Sequence, residues 1–335
     1  MLKYLAKRVL QLVFVLFGAL VIAFVLMHVV PADPARAVAG MRATRAQVEA
    51  IAEKMGLNDP LYVQFGRYLS RLAKGDLGIS PVTYRPVAQD LAMYLPATLE
   101  LVLVASLIVL IGGVGLGVFA AVYSHRKLLT LVVKTVGTVG MGVPVFWLGL
   151  VLQTIFYGKL ALLPATGRIA SGIALPATHT GLLLVDSLLA GNLAAFRSGL
   201  VHIVLPAVTL GFNRAGIVLR YVHAEMSETL AKDYVRTARA KGLPTRSVIW
   251  HALRNALVPV VTMFGLEFGW MLGGALLVEV VFAWPGLGRY AFESINAFDF
   301  SAVMAVVLLF TLIFGVINLL TDLLYGLLDP RVVYD

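Results

Sequence analysis

The sequence predicts an all-α membrane protein with six transmembrane helices, both termini cytoplasmic and an external segment between spans 1 and 2. Three observations carry that reading. The 335 residues are 60% hydrophobic and 13% charged, with a mean hydropathy of +0.89, well beyond the apolar share of a soluble domain, which is nearer half. Six apolar runs are each long enough to cross a hydrocarbon core roughly 30 Å thick at about 1.5 Å per residue. The short links that face one side carry Lys and Arg, which orients the spans with those links inward.

Residues 9–30 follow Lys3, Lys7 and Arg8 and read as a span entered from the cytoplasm. The rival is a cleaved signal peptide with Ala37-Val38-Ala39 as its small-x-small site. The run exceeds a usual signal core, however, and Pro31-Ala32-Asp33-Pro34 separates it from that site. Residues 31–95 are mixed in polarity and form the external segment, with short helices and enough aromatic and aliphatic side chains to pack on the outer face. Residues 96–122 are the second span, with Gly113 and Gly117 spaced for close helix contact. The link 123–134 holds Arg126, Lys127 and Lys134 and no acid, which makes it cytoplasmic.

The third span, 135–157, carries Gly137, Gly140, Gly142 and Pro144 in its first half. Such a composition kinks or opens a helix where neighbours satisfy the freed carbonyls. In the external stretch that follows, the apolar patch through Leu182, Val185, Leu188 and Leu189 surrounds Asp186 and is too short to cross, so it reads as a surface or re-entrant helix. Spans four and five are 200–222 and 257–282. In the fifth, Gly265, Gly269 and Gly273 recur along one face and allow another helix to approach closely. The sixth is 302–324, and Leu327-Leu328-Asp329-Pro330-Arg331 is a short cytoplasmic tail. The chain thus divides into a first helix (1–30), an external segment (31–95) and a five-helix core (96–335) with a cytoplasmic loop at 224–256.

Composition excludes several functions. The net charge of +9 sits on loops, where it orients spans against a lipid bilayer, and no aromatic-and-basic platform accompanies it, so no nucleic acid is expected. There are no cysteines, which excludes disulfides, thiolate ligands and cysteine nucleophiles together. The histidines are scattered without ligand spacing, so no metal site is expected. With no serine elbow and no HExxH pair, no catalytic residue is assigned. There is also no G-x-x-x-x-G-K-S/T phosphate cradle, so any ATP that drives this protein binds another subunit.

Charges within spans each cost about 2.5–3.5 kcal/mol at the bilayer centre on insertion scales. Arg214 and Glu267 are the deepest. At about 1.5 Å per residue they lie roughly 12 and 15 Å from the inner ends of spans four and five, and so meet at similar depth. They form either a structural ion pair or part of a water-filled path, and the same-depth partner favours the pair. Glu279 lies near the outer end of span five and Asp322 near the inner end of span six, where each reaches the interface.

The longest polar interruption of the second half is 225–259. Met226, Leu230, Tyr234 and Ala238 fall at i, i+4, i+8 and i+12 on one helix face, while Lys232, Arg236 and Arg239 form a separate basic stripe. Gly242 stands where a helix end takes a residue of positive φ, and Pro244 cannot continue that helix but opens a second. The expectation is an amphipathic helix with its apolar stripe free for a partner, a sharp turn and another helix.

The run Asp233-Tyr234-Val235-Arg236-Thr237-Ala238-Arg239-Ala240-Lys241-Gly242, followed by His251-Ala252-Leu253-Arg254-Asn255-Ala256-Leu257-Val258-Pro259, resembles the cytoplasmic coupling loop of permease subunits of ABC importers. Within them it resembles the dipeptide, oligopeptide and nickel branch. Ala238 and Gly242 keep the general pattern of that loop, whereas Arg236 and Thr237 replace its Glu-Ala and Asn255 falls where a Pro would stand. Leu57 to Phe65, Lys74-Gly75-Asp76-Leu77-Gly78-Ile79-Ser80, Arg85-Pro86-Val87, Leu95-Pro96-Ala97-Thr98-Leu99-Glu100-Leu101 and Val281-Phe282-Ala283-Trp284-Pro285-Gly286-Leu287-Gly288 are similar to the same branch, in order.

That resemblance implies one of two transmembrane subunits of a peptide-class importer in the bacterial inner membrane. It implies as partners a second homologous permease, two ATPase subunits that hold ATP and Mg, and an external solute-binding protein. The coupling residues it implies are Leu230, Asp233, Tyr234, Arg236, Thr237, Ala238, Arg239, Lys241 and Gly242. Arg214, Glu267 and Glu279 then belong to the translocation path or to structural pairs. The alternative is an ion-gradient-driven secondary transporter or channel. The charged pair favours it, but the amphipathic loop and the lack of paired broken helices in two symmetric halves oppose it. The cargo stays open among dipeptides, longer peptides, nickel chelates and related solutes.

Overall fold

The computed structural model describes residues 2–29, 34–40 and 43–328. Every regular element among them is helical, and the one β-bridge, Ile79 to Pro86, is isolated. The first helix is α1 (Leu2–Val29), followed by α2 (Pro34–Ala39), α3 (Arg45–Met55) and α4 (Leu61–Leu72). Next, α5 (Val87–Ile108) continues through a π-helical stretch (Val109–Gly115) into α6 (Leu116–Val122). Then come α7 (Lys127–Gly142), α8 (Val145–Leu152) with a π-helical extension to Lys159, and α9 (Leu183–Leu189). The second half contains α10 (Leu193–Ala231), α11 (Asp233–Ala240), α12 (Thr245–Val281), α13 (Leu287–Asn296) and α14 (Phe300–Leu328).

Among the described residues, five helices are long and apolar enough to cross a membrane: Tyr4–Val29, Val87–Val122, Leu193–Ala231, Pro259–Val281 and Phe300–Leu324. The expected third span is instead a broken pair, Thr130–Gly142 and Val145–Lys159, bent by 106°. The chemistry of the break is local. Pro144 has no N–H to give to the carbonyl of Gly140 four residues earlier, and the side chain of Asn213 supplies the missing donor, its Nδ2 lying 2.8 Å from that carbonyl and 3.3 Å from that of Met141.

The expected boundaries of the other spans also need correction. The second starts at Val87, so Pro96 lies inside its helix. Spans four and five are parts of helices of 39 and 37 residues, roughly 55 Å each at 1.5 Å per residue and far longer than the hydrocarbon is thick.

At the centre stands α10, packed against α5, α6, α7, α8, α9 and α12. The largest core joins Leu101, Val102 and Val109 to Ile203, Leu210 and Val218, and to Met271, Leu272, Val278, Phe282 and Trp284. Small residues set the spacing. A Cβ on Gly113 would come within 3.0 Å of Val218, and one on Gly117 within 2.9 Å of the Leu219 carbonyl. Gly265 and Gly269 lie directly against Thr321 and Phe314 of α14, whereas Gly273 meets nothing within 4 Å, so the third glycine of that series serves no helix contact in this chain.

Outside this core, α4 lays Phe65, Tyr68, Leu69 and Leu72 on Leu20, Ala23 and Phe24 of α1 and on Met304 of α14. Gln64 adds a 3.2 Å contact to the ring of His28. The short α9 is a surface helix whose Asp186 accepts hydrogen bonds from Thr180 N and Gly181 N. Of the expected tail, Asp329, Pro330 and Arg331 lie outside the described residues, as does the break at 31–33.

Candidate functional site

The amphipathic helix expected through Met226, Leu230, Tyr234 and Ala238 is interrupted, while the turn and the second helix after it are present. The backbone at Lys232 is extended (φ −68°, ψ 152°), so α10 stops at Ala231 and α11 begins at Asp233 with a carboxylate in its first turn, where the helix dipole favours it. Breaking the helix there turns the expected stripe. Val235 is the residue of α11 that is buried, and it packs with Met226, Leu230, Ala238, Val248, Ala252 and Ala256. The apolar face is therefore covered by this chain's own α10 and α12 and is not free for a partner. Tyr234 points elsewhere, 41% exposed, and its hydroxyl accepts a hydrogen bond from Asn255 Nδ2 at 3.0 Å.

The turn itself follows from Gly242. Its φ is +74°, its N–H donates to the Arg239 carbonyl at 3.0 Å, and the next N–H, of Leu243, donates to the Ala238 carbonyl at 3.3 Å. These are the two bonds of a Schellman motif, which closes a helix with a left-handed residue. A Cβ there would touch nothing within 4 Å, so the requirement for glycine is conformational. Asp233, Tyr234, Arg236, Thr237, Arg239, Lys241 and Gly242 are exposed, and Leu243 and Trp250 add apolar surface that is 40% and 62% exposed.

Deep in the bundle, Arg214 Nη1 lies 3.1 Å from Glu267 Oε2, joining α10 to α12. Glu267 is 4% exposed, and the Arg214 guanidinium also sits 5.8 Å from the ring centroid of Trp270. Asp322 does not simply reach an interface: it pairs with Arg8 of α1 at 2.7 Å.

Glu279 is the larger correction. It is fully buried (0%) and forms the centre of a junction. Thr98 Oγ1 donates to it at 2.6 Å, and the N–H of Arg289 in the first turn of α13 donates at 3.0 Å. A side chain at Gly286 would collide with that carboxylate, and one at Gly288 with the backbone of Leu276, which explains the two glycines after Pro285. Trp284, also fully buried, donates its Nε1 hydrogen to the Ala97 carbonyl at 2.9 Å.

Three further carboxylates around this junction escaped the sequence reading. Glu100 accepts from Arg168 at 2.6 Å and from Leu184 N at 2.7 Å. Asp90 accepts from Thr83 Oγ1 at 2.5 Å and Tyr290 OH at 3.1 Å, with Arg85 at 2.8 Å. Asp299 accepts from Ser80 Oγ at 2.5 Å and from Ala302 N at 3.0 Å. Burial pushes the Asp299 carboxyl up from its ordinary range, against the pull of the Ser80 hydroxyl. Burial and then the Asp90 charge hold the Tyr290 phenol well above its usual range. For Glu100 a signal was available: an acid inside an apolar run needs a partner.

The sequence that builds this broken helix, the two long helices and the loop between them has relatives. Residues 113–334 match the family described as "Binding-protein-dependent transport system inner membrane component", and residues 1–102 match "Binding-prot-dependent transport system membrane comp, N-term". The chain belongs to this family of inner-membrane components of binding-protein-dependent transport systems. It is 46% identical, over 98% of its length and 96% of the relative's, to the probable D,D-dipeptide transport system permease protein DdpB of Escherichia coli (strain K12). It is 39% identical to the dipeptide transport system permease protein DppB of Alkalihalophilus pseudofirmus and to the glutathione transport system permease protein GsiC of Escherichia coli O6:H1, over the full length of all three chains.

The chain is therefore a multi-pass inner-membrane protein and the permease subunit of an ABC importer. Such a subunit has no ATPase site of its own and works with ATPase and solute-binding partners. The family sets aside an ion-gradient-driven carrier or channel.

The ion pair yields a direct test. Removing one charge of a buried pair leaves the other uncompensated and costs about 3–5 kcal/mol, while removing both costs less. Arg214→Gln and Glu267→Gln should each reduce the yield and melting temperature of the detergent-purified protein more than the double change does. Additive losses in that comparison would mean that the pair does not hold α10 to α12.

Proposed function

We propose that this chain carries peptides, most directly di- and oligopeptides, inward across the membrane. In this reading it is one of two permeases, joined by a second homologous permease, two ATPase subunits that bind ATP and Mg, and an external solute-binding protein. The relatives named for dipeptide, D,D-dipeptide and glutathione transport support the cargo class. The broken pair at 130–159 counts as the sixth span, both termini are cytoplasmic, residues 31–95 lie outside, and loop 224–256 faces the ATPases.

The observation that carries the mechanism is the fixed attachment of α11. Val235 buries it against α12, Tyr234 is tied to Asn255, and the Schellman turn at Gly242 sets its angle. An ATPase that grips the exposed Asp233, Tyr234, Arg236, Thr237, Arg239 and Lys241 side chains, with Leu243 and Trp250 supplying the apolar contact, moves α11 as a handle on α12. Leu230 and Ala238 act from beneath, as the packing that keeps the handle attached. The Arg214–Glu267 pair makes α10 follow α12, so the motion reaches both long helices at bilayer depth. Glu279 carries it to the outer junction.

Topology is testable because the native chain has no cysteine. A cysteine at Tyr62, which is 78% exposed, should react with an impermeant maleimide applied outside, and one at Thr237 only after the cytoplasmic face is opened. The reverse pattern would overturn the orientation.

Coupling and cargo are tested together in proteoliposomes containing the whole complex and its cognate binding protein. Placing a side chain at φ +74° costs about 1–2 kcal/mol, or roughly a tenfold loss of correctly set loops. Gly242→Val should therefore insert normally yet import peptides about tenfold more slowly, with Gly242→Asn intermediate because Asn tolerates that conformation. Wild-type import by Gly242→Val would remove the loop from the coupling mechanism. Uptake of nickel chelates with no uptake of peptides would remove the cargo assignment.

A further inference from the structure

The transport mechanism makes no use of the groove between α1 and α14, where a cavity of about 900 Å³ opens. Its lining changes along the helix axes. At the end nearer the chain's N-terminus is the Arg8–Asp322 ion pair. About one turn deeper on each helix, the amides of Gln11 and Asn318 face the same cavity and have no hydrogen-bond partner among the described residues. Beyond them the walls are Phe14 and Phe17 on one side and Phe314 on the other. An amide left unpaired at membrane depth is costly, because hydrocarbon offers no donor or acceptor.

We propose that this groove holds one phospholipid with a primary-amine zwitterionic head. Its phosphodiester meets Arg8, its ammonium meets Asp322, its ester carbonyls accept from the amides of Gln11 and Asn318, and one acyl chain lies along Phe14, Phe17 and Phe314. The depths agree. At 1.5 Å per residue the amides lie roughly 4.5 Å below Arg8 and 6 Å below Asp322, about the length of the glycerol that separates phosphate from ester in such a lipid. The charges agree as well: a purely anionic head would face the Asp322 carboxylate, whereas a phosphodiester beside an ammonium gives each member of the pair an opposite charge.

The test uses the assembled complex, exchanged into mixed micelles of equal parts phosphatidylethanolamine and phosphatidylglycerol and examined by native mass spectrometry. The wild type should keep one phosphatidylethanolamine assignable to this chain. The Gln11→Leu/Asn318→Leu double variant, and separately Thr311→Phe, which fills the cavity from the α14 wall, should each lower its occupancy about tenfold. Asp322→Asn should shift the preference toward phosphatidylglycerol. Equal retention by wild type and both cavity variants would overturn the proposal, as would equal retention of the two lipids by the wild type. So would capture of a protein chain, in place of lipid, by a photocrosslinker at Phe14.

Discussion

Glu279 stands in the last turn of α12 with no exposure to solvent, and a carboxylate so placed must be satisfied entirely by its own chain. The donors come from two other elements, Thr98 of α5 and the first turn of α13. That requirement fixes much of this end of the bundle. It draws α5, α12 and α13 to one point, demands the glycine at 286, and seats Trp284 on the carbonyl of Ala97. Three other buried acids extend the junction: Glu100 gathers the loop of Arg168 and the start of α9, while Asp90 and Asp299 bind the segment around Ser80 and Arg85 to α13 and α14.

The same constraint, that polar groups in hydrocarbon find partners within the protein, accounts for the middle of the bundle. Pro144 frees a carbonyl and Asn213 takes it up. Arg214 and Glu267 neutralise each other across α10 and α12. One continuous helix, α12, therefore carries an ion pair at bilayer depth, a buried junction at one end and the closed turn of α11 at the other. The two ends of α12 belong to one helix over Thr245–Val281, in which Pro259 is the one residue without a backbone N–H to donate.

What the sequence revealed was local or depended on depth. Gly242 followed by Pro244 announces its turn, because both residues act through their own backbone. The depths of Arg214 and Glu267 matched because a helix rises uniformly, so counting residues measures distance. The limits of α5, α10 and α12 did not follow, since apolarity marks the hydrocarbon and these helices run past it. The break at Lys232 carries neither Gly nor Pro to announce it, and the shift of the buried position from Tyr234 to Val235 depends on that break. Glu279 was misjudged because its partners stand 181 residues before it and 10 after it in sequence. Proximity to a span end suggested water, and only the three-dimensional return of α13 shows otherwise.

The central claim is that loop, α11 and α12 move as one body. Spin labels on cysteines at Arg239 in the loop and at Leu277, which is 48% exposed near the far end of α12, measure it directly by double electron–electron resonance in the assembled complex. The account predicts one narrow distance distribution, unchanged between nucleotide-free and ATP-bound states. A shift of about one helical turn, roughly 5 Å, or a second population that appears with ATP, would contradict it.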